Sequence, residues 1–232
     1  MPALPESAVY PLHTPAAHVI RDGAEALAVA RQVAAILLEQ DAERDRTREV
    51  PAQVVDLYSN SGLWGISVPR EFGGAQVSYA VLAEVIAIIS AADPSLGQIP
   101  QNHYCLLEDI RLQGTPEQQA HFFALALQGH RFANALSETG GKNVQDIQAT
   151  IRRSGDGYVI NGRKGYCTGS LYAHWLAVLA LDEQGRGQLA FVPRGSEGLA
   201  VIDDWDSIGQ RTTSSGTCLL YTSPSPRDQR GS

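Results

Sequence analysis

The spacing of apolar residues changes character part-way along the chain. Up to about Gly129 they recur at every third or fourth position, as across residues 27–37, which is the period of an amphipathic helix. After Gly129 they alternate with polar residues, as across residues 147–152, and this period of two is typical of a half-buried strand. The pattern predicts a helical first part followed by a part built from short strands.

Local signals place the helices of the first part. Asp22 with Glu25, and Thr115 with Gln118, have the spacing of a capping box. Residues 41–49 form a charged run that we interpret as a solvated surface rather than a site. Residues 63–74, punctuated by proline and glycine, predict a loop. The expected helices begin at Asp22, Pro51, Ser78, Ser95 and Pro116.

Turn residues divide the second part into strands. The dipeptide Asn161-Gly162 is a strong turn signal and predicts the end of a strand at that point. Residues 182–187 predict the turn of a hairpin. The expected strands cover residues 147–152, 158–160, 175–181, 188–193 and 199–202.

Helices followed by many short strands predict an α+β fold with two subdomains. We expect a flexible N-terminal arm over 1–20, a helical N-terminal domain over 21–129 and an antiparallel, β-barrel-like middle domain over 130–217. The string CLLYTSPSPRD begins at Cys218, has no apolar period and resembles translated adapter sequence. We therefore interpret residues 218–232 as an artefactual or disordered tail.

Composition excludes several classes of protein. Hydrophobic residues make up 44% of the 232 residues and charged residues 19%, which rules out wholesale disorder. A net charge of −7 disfavours nucleic acid and anionic membranes as partners, because phosphates are repelled. Three cysteines fit a reducing cytosol better than a disulfide scaffold, and we expect Cys105 and Cys167 to be buried. With no secretion signal or membrane span in the sequence, we expect a cytoplasmic protein.

Generic motifs for phosphate, nucleophile and zinc chemistry are absent from the sequence. It contains no G-x-x-x-x-G-K-[ST] and no G-x-S-x-G, and its histidines never pair at i,i+4. We therefore expect no metal site. Gly185-x-Gly187-x-x-Ala190 lies between two expected strands, which favours a hairpin turn over a dinucleotide site.

Several longer segments carry more specific information. They read SGLWGISVPREFGG at 61–74, RFANALSETGG at 131–141, YVINGRKGYCTG at 158–169 and DDWDSIGQRTTSSGT at 203–217. In this order they resemble the acyl-CoA dehydrogenase superfamily, whose middle domain carries A-L-T-E-P-x-A-G-S-D, then N-G-x-K-x-[WYF]-I-T-N, then G-x-R. The resemblance implies a flavin-binding middle domain, and a C-terminal four-helix bundle that is absent here.

Departures from the family pattern favour one branch of it. Where dehydrogenases have a Ser-Asp pair that helps to hold an acyl thioester, this chain has Asn143-Val144. Asn134, the run 166–169 and the D-D-W-x-x-I-G-x-R run instead resemble the flavin-dependent monooxygenases of sulfur acquisition, including dibenzothiophene desulfurisation enzymes. This branch implies oxidation of a small organosulfur compound with reduced flavin and O2. An acyl-CoA dehydrogenase with bound FAD is the second hypothesis, and a non-catalytic binding fragment is the third.

The chemistry of a flavin sets what its site must contain. The ring is flat, with acceptors at its edge, so it needs hydroxyl or backbone donors there and a dry wall behind it. The resemblance implies that His103, Asn134 and Thr168 are catalytic, with His103 titrating in a range that suits proton delivery at neutral pH. The residues that the resemblance implies for cofactor binding are Asn134, Leu136, Ser137, Asn143, Tyr166, Cys167, Thr168 and Arg211.

Each of these residues also has an ordinary structural explanation. Ser137 and Thr168 suit strand ends, where their hydroxyls satisfy backbone groups. His103 would fit a helix surface or a core position, Arg211 a surface ion pair and Trp205 the core.

The resemblance also implies partners. These are reduced FMN or FAD, O2, a small organosulfur substrate, a separate flavin reductase and, for the full-length protein, a homotetramer. FMN is favoured only by the branch resemblance, because no adenine-binding segment is identifiable. Since the bundle that closes the site is absent, we expect this chain to bind flavin weakly and to be nearly inactive alone.

Overall fold

The computed structural model describes residues 10, 12, 16–48, 52–143 and 146–225, with the backbone alone for 222–225. Most of the expected N-terminal arm lies outside these residues. The chain divides into two compact units. A helical unit comprises Pro11–Arg131 with Ser207–Thr213, and a β unit comprises Met1–Tyr10, Phe132–Asp206 and Ser214–Ser232.

The helical unit contains the five expected helices and one short helix, over Asp41–Thr47, that the charged run did not predict. Two 3-10 turns, Leu63–Gly65 and Arg70–Phe72, lie within the expected loop over 63–74. Trp64 from this loop packs on Tyr58 and His103, with ring centroids 4.8 Å and 4.7 Å apart. The loop therefore contributes the largest fully buried side chain of the described core. The helices are α1 Gly23–Leu38, α2 Asp41–Thr47, α3 Ala52–Asn60, α4 Tyr79–Ala92, α5 Pro94–Gln113 and α6 Pro116–Leu127.

The predicted caps are present, with one difference. The Thr115 hydroxyl accepts from the Gln118 N–H at 3.3 Å, and the Gln118 side chain accepts from the Thr115 N–H at 2.9 Å, which completes the box. Asp22 likewise caps α1 by accepting from the Glu25 N–H. The Glu25 carboxylate accepts from the Arg21 N–H at 2.8 Å instead of from Asp22, so this second box is only half formed.

The cap at Thr115 gives a stability prediction. Substitution Thr115→Ala removes the acceptor for an otherwise unpaired helix N–H, so we expect a loss of about 1 kcal/mol. Chemical unfolding followed by circular dichroism measures it. The matched control is Ser154→Ala at the exposed end of the strand over Thr150–Ser154, which we expect to change stability little. Equal effects of the two substitutions would contradict the capping role.

We expected the charged run over 41–49 to be entirely solvated, but it is not. Arg44 of α2 is buried and its Nη2 lies 2.7 Å from Asp93 Oδ2. The same Nη2 donates to the Leu37 carbonyl at the end of α1. The interpretation of 41–49 as surface is therefore wrong at this position, because one face of α2 packs inward.

The β unit is built on a curled, mixed half-barrel sheet. The strand order is β1-β4-β2-β3-β7-β6, with β5 also paired to β4. β1 is parallel to β4, and β2 pairs with β4 in parallel through Thr150 and Leu181, so the expected antiparallel sheet is wrong in these two pairings. The strands are β1 Phe132–Ala135, β2 Thr150–Ser154, β3 Gly157–Cys167, β4 Trp175–Leu181, β5 Gly187–Pro193, β6 Leu199–Ile202 and β7 Gly216–Ser225.

The predicted turn at Asn161-Gly162 is wrong. β3 runs through both residues, and its register against β7 shifts between Ile160 and Gly162. A Cβ at Gly162 would lie 2.5 Å from the Cβ of Ala149. This glycine thus allows a close approach at a β-bulge and does not form a hairpin turn.

The chain remains in the sheet beyond Thr217. β7 pairs with both β3 and β6, and Cys218 and Leu220 are fully buried. The expectation of disorder from residue 218 is therefore wrong for 218–221, because these residues complete a strand. Residues 226–232 lie outside the described residues.

Candidate functional site

The end of β1 and the end of β3 lie side by side in the β unit. The Gly165 N–H donates to the Ser137 carbonyl at 3.0 Å. Lys164 Nζ donates to the Leu136 carbonyl at 3.2 Å. Asn134, Leu136 and Ser137 are each half-buried. These contacts bring the two segments that the sequence singled out, 134–137 and 166–168, to the same part of the sheet.

A set of buried hydroxyls follows the end of β3. Thr168 Oγ1 lies 3.0 Å from Ser215 Oγ, and either hydroxyl can donate. Ser170 Oγ donates to the Ser214 carbonyl at 3.2 Å. The Thr168 hydroxyl therefore has an internal partner that its strand-end position alone did not predict.

Tyr166 adopts a strained conformation beside these hydroxyls. Its φ is +55°, in the left-handed region, and its side chain is 60% exposed. The ring meets the edge of Trp205 with centroids 6.0 Å apart. Trp205 is half-buried, so the expectation that it is a core residue is wrong. The pair presents aromatic surface next to the polar groups.

The polar groups of this region match those of a flavin ring. Asn134 Oδ1 and Ser214 Oγ are buried and make no hydrogen bond with any residue that the structure describes. A buried acceptor without a partner is destabilising by about 1–3 kcal/mol. A flavin ring carries an N–H donor as well as several acceptors, so an amide and hydroxyls at this place match its hydrogen-bonding edge. The residues present fit the group.

Glu138 and Lys164 form a buried ion pair behind Ser137. Lys164 Nζ lies 2.6 Å from Glu138 Oε1, and the side chains are 0% and 7% exposed. The carboxylate also accepts from the N–H groups of Gln148 and Ala149. Burial alone would raise the pKa of Glu138, but the hydrogen bonds from Lys164, Ala149 and Gln148 hold that pKa below its ordinary value.

Cys167 and Asn143 differ in their surroundings. The Cys167 thiol is fully buried, and its hydrogen bond with Cys218 together with burial raises its pKa well above the ordinary value. Asn143 is exposed in the loop between β1 and β2. Both residues lie in the β unit with the other candidates. The Cys167 side chain is in the core, whereas the Asn143 side chain is exposed to solvent. Cys105 is exposed, so its expected burial is wrong.

His103 and Arg211 belong to the helical unit. His103 is fully buried, with Nε2 2.9 Å from the Trp64 carbonyl. Burial lowers its pKa to about 3, so the expected titration near neutral pH is wrong for this ring in the described surroundings. Arg211 is half-buried, and its Nη1 donates to the Arg46 carbonyl at 3.4 Å. This is a hydrogen bond to a backbone carbonyl. It is therefore not the surface ion pair that was the alternative explanation of Arg211.

Sequence reasoning missed Lys164, Ser214 and Ser215 as parts of the site. A signal for Lys164 did exist, since the family motif N-G-x-K contains it. The wrong turn at Asn161-Gly162 removed it from the expected strand. The run of hydroxyl residues from Thr212 to Thr217 was the corresponding signal for Ser214 and Ser215.

The described residues contain neither a metal-binding cluster nor a membrane-spanning helix. They hold no group of three or more His, Cys, Asp or Glu side chains that could bind a metal ion. No helix among them is long and apolar enough to cross a membrane.

A helical unit followed in the chain by a mixed half-barrel sheet with hydroxyl-lined strand ends is the domain composition of an acyl-CoA dehydrogenase. The family model "Acyl-CoA dehydrogenase, N-terminal domain" matches residues 20–130, and the model "Acyl-CoA dehydrogenase, middle domain" matches residues 133–221. The chain belongs to the acyl-CoA dehydrogenase family.

Three individual proteins show which members of the family this chain is similar to. The chain is 34% identical over 207 residues to a dibenzothiophene monooxygenase of Rhodococcus erythropolis, covering 85% of this chain and 49% of that protein. The FMN-bound structure of TdsC from Paenibacillus sp. A11-2 matches with a TM-score of 0.82 and 33% identity, over 88% of this chain and 52% of that one. Methanesulfinate monooxygenase MsuC from Pseudomonas fluorescens matches with a TM-score of 0.77 and 30% identity, over 85% and 50%. The chain thus spans about half the length of these relatives.

Proposed function

We propose that this chain provides the helical and flavin-binding parts of a flavin-dependent monooxygenase that oxidises a small organosulfur compound. One observation of the structure carries the proposal. The Gly165–Ser137 hydrogen bond brings the Asn134–Ser137 segment beside the end of β3, where Thr168 lies. The similarity to dibenzothiophene monooxygenase and to FMN-bound TdsC supports reduced FMN as the cofactor and an organosulfur compound as the substrate.

The residues at the two strand ends have separate roles in this proposal. The Ser137 and Thr168 hydroxyls hydrogen-bond the ring edge, and the Asn134 amide gains the partner that it lacks within the described chain. The Tyr166 and Trp205 rings supply a face for the flat cofactor. Reduced flavin, when bound, supplies the electrons that activate O2 for transfer of one oxygen atom to sulfur.

Water exclusion is the second contribution of these residues. Cys167, Thr168 and Ser170 are buried, so the floor of the proposed site is closed to solvent from the side of the sheet. A dry wall would exclude water from the oxygen chemistry that reduced flavin would supply there. Asn134 and Thr168 are the polar residues that would hydrogen-bond the cofactor at this water-excluded place.

Incorporation of labelled oxygen into the product tests the proposal. The chain is supplied with chemically reduced FMN, O2 and dibenzothiophene or methanesulfinate, and the oxygenated product is measured by mass spectrometry with labelled O2. We expect label in the product, at a low level because the chain spans about half of its relatives. Label in water and peroxide alone would contradict the proposal.

An acyl-CoA dehydrogenase is the second candidate, favoured by 31% identity over 191 residues to a probable acyl-CoA dehydrogenase, YngJ, of Bacillus subtilis. The two candidates differ in their use of oxygen. Bleaching of bound FAD by an acyl-CoA without O2 would favour the dehydrogenase. Absence of bleaching together with labelled sulfur product favours the monooxygenase.

The Ser137 hydroxyl gives a binding prediction. Substitution Ser137→Ala removes one hydrogen bond to the ring edge, so we expect FMN affinity to fall about tenfold. Quenching of FMN fluorescence measures it. Substitution Ser154→Ala, at the exposed end of β2 in the same unit, is the control and leaves affinity unchanged. Equal affinities of the two variants would contradict the proposed contact.

The remaining expectations stay proposals. They are a separate reductase that supplies reduced flavin, a homotetramer formed by the full-length protein and a cytoplasmic location. Roles for His103 and Arg211 at the flavin, for Asn143 and Cys167 as contacts, and the domain limits at 20 and 129 are likewise part of the proposal.

A further inference from the structure

Glu138 and Lys164 form a buried ion pair beside Ser137, and the flavin-binding proposal gives neither residue a direct contact with the cofactor. We propose that the Glu138–Lys164 ion pair is a positioning device, which fixes the backbone on either side of Ser137 so that this residue presents its hydroxyl to the flavin. The proposal rests on the flavin-binding function proposed above. It assigns to both residues an indirect role, exerted through Ser137.

The contacts hold three consecutive residues against one strand. Lys164 Nζ donates to the Leu136 carbonyl at 3.2 Å and pairs with Glu138 Oε1 at 2.6 Å. The next residue of β3, Gly165, donates its N–H to the carbonyl of Ser137 at 3.0 Å. The residue before Ser137, Ser137 itself and the residue after it are therefore each bound by Lys164 or Gly165.

The carboxylate of Glu138 also ties down the far end of the loop. Oε2 accepts from the Gln148 N–H at 2.8 Å, and Oε1 accepts from the Ala149 N–H at 2.9 Å. The chain after β1 and the chain just before β2 are consequently joined through one side chain. Its closure and the position of Ser137 depend on the same carboxylate.

Glycine at 165 allows the segment to lie flat on the strand. A Cβ at that position would come 2.7 Å from Thr139 Cγ2, which is closer than side chains pack. This glycine therefore leaves room for the side chain of Thr139, the residue that follows the held segment.

A role in stability alone does not account for the choice of charges. Two buried charges must be desolvated, and apolar residues of similar volume often give equal or greater stability in such places. What an ion pair with further hydrogen bonds provides in addition is direction, because each bond fixes a donor and an acceptor. These bonds fix the orientation of the segment 136–138, which contains Ser137.

Equilibrium titration with FMN, followed by flavin fluorescence, tests the inference. The variants are Lys164→Met, Glu138→Gln, Ser137→Ala and the double variant Ser137→Ala with Lys164→Met. We expect Lys164→Met and Glu138→Gln each to weaken FMN binding about tenfold. If Lys164 acts through Ser137, the double variant binds no more than about twofold more weakly than Ser137→Ala alone.

A second buried pair supplies the matched control. Arg44→Met breaks the Arg44–Asp93 pair in the helical unit, where the side chains are 6% and 2% exposed. We expect this variant to lose thermal stability while its FMN affinity, measured below its unfolding temperature, equals that of the unsubstituted chain. Loss of affinity in Arg44→Met as large as in Lys164→Met would overturn the inference, because any buried-pair defect would then suffice.

The outcomes separate the two proposals. If the unsubstituted chain does not bind FMN, the flavin-binding function fails and the inference fails with it. If it binds and Lys164→Met binds equally well, or the double variant shows additive losses, only the positioning role is overturned. Should Lys164→Met fail to fold, the nearly isosteric Glu138→Gln decides. Faster hydrogen exchange at residues 136–138 in that variant, with weaker FMN binding, supports the inference, and unchanged exchange with unchanged binding overturns it.

Discussion

Substitution Arg44→Met is expected to destabilise the chain by about 3–5 kcal/mol, because it leaves the buried Asp93 carboxylate without its partner. Arg44 donates to Asp93 Oδ2 through both Nε and Nη2, at 3.2 Å and 2.7 Å. Its Nη2 also donates to the Leu37 carbonyl, one of the carbonyls left unpaired at the end of α1. Urea unfolding followed by circular dichroism measures the loss.

Two controls show whether the unpaired charge is the cause. Asp93→Asn keeps a side-chain oxygen for the cap that Asp93 Oδ1 forms with the Leu96 N–H. Adding it to Arg44→Met removes the stranded charge, and we expect part of the stability to return. Arg46→Met breaks the exposed pair with Glu43 and should change little, because water screens such pairs. Equal losses for Arg44→Met and Arg46→Met would contradict the account.

Stability is expected to fall as the pH is lowered from 6.5 to 5, by up to about 1.4 kcal/mol per pH unit from His103. Burial lowers the pKa of this ring to about 3, against 6.5 for an ordinary histidine. The unfolded chain therefore binds a proton in this range that the folded chain does not. The contribution is complete above pH 6.5 and is lost progressively as the pH falls towards 3.

Comparison with His103→Gln isolates this contribution. Glutamine can still donate to the Trp64 carbonyl but does not titrate, so its stability curve should be flatter between pH 6.5 and 5. Glu138 has a lowered pKa, but it is present in both proteins, so its contribution cancels in the difference. Half-buried His130 also has a lowered pKa, but it remains in both proteins and cancels in the difference. Parallel curves for the two proteins would contradict the assignment.

Local signals in the sequence predicted most of the helices because the interactions that cap a helix terminus involve residues close together in the sequence. Thr115 and Gln118 satisfy one another across three residues, and no distant contact is required. Arg44 shows the limit of this reasoning. Its neighbours in sequence are charged and exposed, but its partner Asp93 lies 49 residues away. Nothing in the local pattern distinguishes it from Arg46.

In the β unit the failures come from tertiary contacts. Asn161-Gly162 has the composition of a turn, but the close approach of Ala149 uses the glycine at a bulge instead. That error cut β3 short and hid Lys164, whose charge makes sense only when Glu138 is placed beside it. The parallel pairing of β1 with β4 depends on strands about 40 residues apart, which alternation cannot order.

The candidate site was predictable to the extent that resemblance supplied it. The motifs placed Asn134, Ser137 and Thr168, and the structure brings their segments to one part of the sheet. Periodicity alone gave none of these residues. It also gave no indication of Ser214 and Ser215, whose contacts with Ser170 and Thr168 join segments 44 and 47 residues apart.

The central claim is that a flavin is held where the segment 134–137 meets the end of β3. Hydrogen exchange measured by mass spectrometry, with and without FMN, tests it most directly. We predict that FMN slows exchange in peptides covering 134–137 and 166–170, while peptides covering the β4–β5 turn at 182–187 are unchanged. Saturable FMN binding that leaves 134–137 and 166–170 unprotected, or an absence of FMN binding, would contradict the account.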